Sequence, residues 1–336
     1  MRKNLKLNFL LALAAVLVII NPLSDARAVP QRITARITAN PADQYEPAIW
    51  EDIVVWTDLR NGNGDIYAYD LDTKTERRIT TDPAEESGPA IFRERIVYSS
   101  RRNGNYDIYL YNLSTNTERQ ITSTNEDELH PVIFGDLVGW TLYNSSHLPQ
   151  DVYLLNLQTG ELRKISTNAP DFTGRIDLFQ ARVMWADQHF AQLYNARTGE
   201  TRQLSVPLVQ SFDSPRYPAV DGRFAVWTGR PTGPYTSGSF EVALYDFSTN
   251  LTRLLTNDSV EQSKPAISGD RIVWVEDADM GDGDIILYDI DSGRTHRLTN
   301  DSFQQDDPAI WGRRVVYTDN RNGDRDIYLR IVPAFD

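Results

Sequence analysis

The stretch "GPAIFRERIVYSSRRNGNYDIYLYNLSTNTERQIT", residues 88–122, decides the fold because the chain carries seven versions of it. Its Pro89 has counterparts at Pro47, Pro131, Pro218, Pro265 and Pro308, with Ile176 in that place in a degenerate fourth copy. Nine residues after each stands an aromatic: Trp56, Tyr98, Trp140, Trp185, Trp227, Trp274 and Tyr317. The period is about 42 residues. A fixed period of this length marks an architecture in which each unit buries its apolar face against the next.

Within a copy the apolar segments are short, β-branched or aromatic, and separated by turn residues, which predicts strands. In the first copy strand a covers 47–50, strand b 53–57, strand c 65–70 and strand d 75–80. Asn61-Gly62, between b and c, predicts a type I′ turn with both residues at positive φ. Four antiparallel strands per repeat and no helical periodicity predict an all-β, seven-bladed β-propeller. The aromatics on strand b are expected to fill the wedges between blades rather than to form a ligand platform.

The seventh copy stops after strand c at "DIYLRIV", residues 326–332, whereas "ARIT", residues 35–38, lies 42 residues before "RRIT", residues 77–80. The N-terminal segment is therefore expected to supply the last blade's strand d, close the ring and remove its free edges.

Residues 1–28 read as a secretory signal: Arg2, Lys3 and Lys6, then the apolar run Phe9 to Ile20, then Ala26-Arg27-Ala28. At 12 residues the run is short for a membrane span, which needs about 20. An exported chain is expected, periplasmic, secreted or at the cell surface, with no membrane insertion after cleavage and residues 29–336 forming one propeller domain. Cleavage would remove four basic residues and one acid, taking the net charge from −13 to −16. Such a charge argues against nucleic acid, whose binding rests on Lys and Arg neutralising phosphates. There is no cysteine, so disulfides, thiol nucleophiles and thiolate metal sites are excluded.

Residues 88–122 and their sister copies, with the recurrent "RNG..DIY", resemble the repeats of TolB-like periplasmic proteins and prokaryotic cell-surface propellers. That resemblance implies an exported, non-catalytic propeller used for interaction; together with the acidic loops and the lack of a catalytic motif, it leads us to expect a monomer that binds a protein, peptide or glycan of the cell envelope. It also offers six blades as the alternative count.

Function is expected on the face formed by the d-to-a and b-to-c loops, where "TDPAEESG" (81–88), "STNEDELH" (123–130) and "NDSFQQDD" (300–307) are acid-rich. The residues just before each strand a proline should ring the channel mouth: Glu46, Gly88, His130, Arg175, Tyr217, Lys264 and Asp307. This ring varies where other positions repeat, as binding of one asymmetric ligand would favour. Copies three to five replace "RNG..D" with divergent loops at residues 143–151, 187–192 and 229–240, carrying His147, His189 and Tyr235 as further binding candidates, and His130, His147 and His189 all fall on this face. Asp277, Asp279, Asp282 and Asp284 in "EDADMGDGD" (276–284) offer oxygens to a calcium ion, the one cofactor the sequence suggests. No nucleophile elbow or phosphate loop is present. The competing reading is a glycan hydrolase or lyase using carboxylates at the channel mouth.

Overall fold

The computed structural model describes residues 34–166, 173–204, 211–232, 238–277 and 282–333; residues 1–28, expected from the sequence to be a secretory signal, lie outside them. These residues form seven antiparallel sheets of four strands. Each sheet packs against the next and the seventh against the first, giving a seven-bladed β-propeller. Among the described residues there is no helix.

In blade 1 the strands are a (Gln44–Trp50), b (Ile53–Asp58), c (Asp65–Asp70) and d (Thr75–Arg78), close to the sequence reading. Strand a starts earlier than expected because the chain passes through Pro47 by a bulge, with the register shifting between Tyr45 and Ala48. Proline lacks a ladder donor, so it is tolerated where a strand bulges. Blade 5 departs further. Its strands a (Ser211–Asp221) and b (Phe224–Thr232) are long, so residues 230–232, expected as loop, extend the sheet by pairing with 211–213.

The core lies between blades. Val54, Trp56 and Tyr67 of blade 1 pack on Val316, Ile327 and Leu329 of blade 7, and Val55 and Ile66 pack on Ile96 and Tyr98 of blade 2. Period-2 alternation on strand b thus feeds two interfaces from one strand. All seven strand b aromatics are buried, as the sequence predicts. A polar tie is added outside: Arg77 of one blade donates to Tyr111 and Asn116 of the next, and Arg202 does the same to Tyr245 and Asn250.

Ring closure follows the expected register. Thr34, Ala35 and Arg36 pair with Arg330, Leu329 and Tyr328, and the Ile37 amide donates to the Ile327 carbonyl at 2.8 Å. The segment reproduces the side-chain bonds of a strand d as well. Arg36 meets Asp326 at 2.9 Å as Arg78 meets Asp65, and Thr38 Oγ1 accepts from the Ile327 amide as Thr80 accepts from Ile66.

The Asn61-Gly62 turn differs from the type I′ expectation. Only Gly62 is at positive φ (93°), and its amide closes a turn on the Leu59 carbonyl at 3.0 Å. Asn61 instead uses its side chain, donating to Asp65 at 2.7 Å and to the Tyr67 hydroxyl at 2.8 Å. Arg60 grips the buried Asp58 and lies over the Tyr67 ring at 4.3 Å. Asn103 and Asn322 repeat the pattern on Asp107 with Tyr109 and on Asp326 with Tyr328. The motif is a loop staple whose side-chain bonds replace a tight turn. Asn61→Ala should cost about 1–2 kcal/mol, and a urea midpoint equal to that of the parent protein would refute this role.

Candidate functional site: a three-layered channel

The innermost strand of each blade runs along the central channel, and alternation aims every second residue at the axis. The channel holds a cavity of about 350 Å³ lined from one end to the other by strand a residues. All seven residues expected at the mouth line it. Two residues deeper the belt is Ala48, Ala90, Val132, Asp177, Ala219, Ala266 and Ala309, small and apolar except for one acid. Two further on come Trp50, Phe134, Phe179, Asp221, Ser268 and Trp311, with Phe92 in the same register outside the lining.

This third layer is an aromatic floor. Trp50 stands 3.9 Å from Trp311 and 4.4 Å from Phe92, Phe92 4.5 Å from Phe134, and Phe134 4.6 Å from Phe179, measured between ring centroids. Floor and belt are functional candidates that the sequence reading missed. The signal was available in the column "PAIW", "PAIF", "PVIF", "IDLF", "PAVD", "PAIS", "PAIW", read at period 2.

At the mouth, five non-glycine residues are held in the left-handed region: Glu46, His130, Tyr217, Lys264 and Asp307, with φ between 47° and 54°. Only blade 2 places there the residue that this conformation favours, Gly88, at φ 63°. In blade 4 the positive φ moves back one residue to Gly174, and Arg175 enters strand a without it.

Two ion-pair systems organise the rim. Arg175, of blade 4, reaches across to Glu46, of blade 1, at 3.1 Å, and Glu46 also accepts from the Gly88 amide at 2.9 Å. In a ring of seven these blades are nearly opposite, so the pair is a strut over the channel. Lys264 bonds Asp306 and Asp307, each at 2.6 Å. Burial pulls the Lys264 ammonium down, and Asp307 and Asp306 outweigh it and raise it. Burial, with Arg175 nearby, drives His130 well below the usual imidazole range, so it is neutral near pH 7; its ring meets Tyr143 edge-on at 5.9 Å. In the belt, Asp177 accepts from the Val220 amide at 2.7 Å, and burial pushes its carboxyl up to about 6.

The histidines are not gathered. His147 is exposed in blade 3's b-to-c loop, 3.0 Å from Asp127, and His189 is exposed in blade 4 beside Phe190. Tyr235 and Asp279 lie outside the described residues. Of the proposed calcium ligands, Asp284 is taken up by Arg297 at 2.6 Å and Thr299 at 2.9 Å, Asp282 is exposed, and Asp277 ends strand b of blade 6 (Arg271–Asp277). Among the described residues no three His, Asp or Glu side chains are grouped to hold a metal ion.

No protein-family model matches the chain, and no curated protein does. Solved structures share its architecture. An oligogalacturonate lyase in complex with manganese is 13% identical, with a TM-score of 0.64 over 89% of this chain and 93% of that one. The β-propeller domain of the Trilobed protease from Pyrococcus furiosus, described as having an open velcro topology, is 12% identical, with a TM-score of 0.66 over 89% and 98%. TolB from Acinetobacter baumannii is 19% identical, with a TM-score of 0.49 over 73% and 62%. At such identities the likeness is one of fold, and this chain is a seven-bladed β-propeller.

Proposed function

We propose that this protein is an exported, TolB-like binding propeller that recognises a protein, peptide or glycan of the cell envelope through its channel mouth and the surrounding loops. One observation carries the reading. A backbone position that favours glycine is filled in five blades by Glu, His, Tyr, Lys and Asp, at a cost of about 1 kcal/mol each. Strain retained at one level of a cavity points to a task for those side chains. The channel is floored by aromatics, so it receives the end of a ligand rather than a threaded chain.

The competing reading, a glycan hydrolase or lyase, requires carboxyls free to exchange protons across the sugar. Glu46, Asp306 and Asp307 are each within 3.1 Å of a cation, which supports recognition over proton transfer.

Pulldown from envelope extract tests the proposal. The parent protein and Asp72→Lys, an exposed change on the opposite face, should retain the same partners. The double variant Glu46→Lys and Asp307→Lys, verified as folded by circular dichroism, should lose them. Equal recovery by all three overturns the channel-mouth reading.

A further inference from the structure

We infer that the channel is a pocket for a primary amine, presented as a lysine side chain or as a free alkylammonium, whose charged end meets Asp177 in the belt between rim and floor. The inference rests on the mouth being a binding site and names the chemistry received there.

Charge and shape support it independently. Glu46 has Arg175, but Asp306 and Asp307 share the single ammonium of Lys264. Asp177 has backbone amides as its hydrogen-bond donors and no cation beside it. Of the charged residues lining the cavity, Glu46, Asp177, Asp221 and Asp307 are acids and only Arg175 and Lys264 are cations, in a chain whose net charge of −13 already draws cations. Asp177 is also the sole polar side chain of its layer, in a belt whose alanines leave the cavity its width. The carboxyl's rise to about 6 reflects this burial without a counter-ion, a deficit that an incoming ammonium removes.

The depth matches. Rim and belt are two strand residues apart, roughly 7 Å at about 3.3 Å per residue, a distance that four methylenes span. Beneath lie the faces and edges of Trp50 and Trp311, and aromatic faces attract cations. An alkyl chain meets proline, valine and alanine on the way down. A sugar would have to leave its hydroxyls unpaired against the same walls.

Titration calorimetry on the intact chain tests this with n-butylammonium chloride, Nα-acetyl-lysine-N-methylamide and, as neutral isostere, n-butanol. Both amines should saturate one site at millimolar concentration and butanol should not. Saturation by both identifies a pocket open to free amines, and saturation by the lysine derivative alone identifies peptide lysine as the source. Asp177→Asn keeps an acceptor for the Val220 amide and should weaken amine binding about tenfold or more. Ala309→Leu fills the belt without changing charge and should abolish it. Binding by the parent should weaken as pH falls through about 6, where Asp177 takes up its proton.

Unchanged affinity in folded Asp177→Asn, equal binding of butanol, or no saturation by either amine overturns the inference. Failure here with partners still lost from the rim double variant leaves the binding reading standing; amine binding with undiminished partner recovery does the reverse.

Discussion

A chain beginning at Ala39 should melt at least about 10 °C below one beginning at Val29, a loss on the order of 5 kcal/mol. The missing residues hold strand d of the seventh blade. Without them Asp326, which is wholly buried, loses Arg36 at 2.9 Å and Thr38 at 3.3 Å, and the Ile327 amide loses its acceptor. Each buried polar group left without its partner typically costs about 1–3 kcal/mol, and more when it is charged. The strand also closes the circle, so its loss exposes an edge that can pair with other chains. Differential scanning calorimetry, with sedimentation to detect association, measures both effects. Coincident melting curves for the two chains would show that closure contributes nothing.

The double variant Glu86→Gln and Glu128→Gln should be more stable than the parent at pH 8 and nearly equal to it at pH 5. The repeat itself supplies the comparison. The residue two before the rim position is Gln44, Gln262 and Gln305 in blades 1, 6 and 7, all buried. Blades 2 and 3 put Glu86 and Glu128 there, 0% and 1% exposed. Burial raises both carboxyls to about 7, against the hydrogen bonds of Thr80 and Ser100 to Glu86 and of Thr122 and Thr124 to Glu128. A folded-state value above the unfolded one means that the stabilising contribution is complete below about pH 4.5 and is lost as pH rises through about 7. Each ionised glutamate then costs roughly 1–3 kcal/mol at pH 8.

Glutamine should fit. Gln262 accepts from Thr256 and donates to the Val260 carbonyl, and the Ala84 and Glu126 carbonyls occupy the equivalent places. Thermal melts at pH 5 and pH 8 decide the matter. A parent and variant with parallel pH profiles would mean that the two carboxyls do not titrate near neutrality.

Legibility from sequence followed the range of the forces involved. The "RIT" ending of each repeat was readable because its threonine or serine accepts from an amide 14 residues earlier in the same blade, as Thr80 does from Ile66 and Ser166 from Val152. The Asn-Gly signal was found and its geometry mistaken. A two-residue turn was expected, but Asn61 had partners in Asp65 and Tyr67, and those bonds outweighed the local backbone preference. In blade 5 the segment 229–240 stands where other copies carry their b-to-c loop, and the sequence predicts loop throughout, whereas pairing with 211–213 holds residues 230–232 in the sheet.

For the site, the ring of seven could be named by counting back from each aromatic, because equal offsets in equal blades put equal positions at one height. What each member does there was not legible. Arg175 and Glu46 are 129 residues apart and meet only because their blades stand across the channel. In the sequence Asp177 is one more acid in a degenerate repeat, and its standing as the sole polar side chain of its layer depends on six other chain segments presenting alanine or valine at the same level.

The sequence by itself determined the strand pattern, the number of blades, the closing strand and the buried aromatics, since each depends on a period repeated within the chain or on bonds inside one blade. The tertiary structure alone decided the aromatic floor, the strut, the shared ammonium of Lys264 and the unpaired carboxyl of Asp177. Convergence on an axis sums one residue from every blade, and the field at that axis belongs to the closed ring rather than to any repeat.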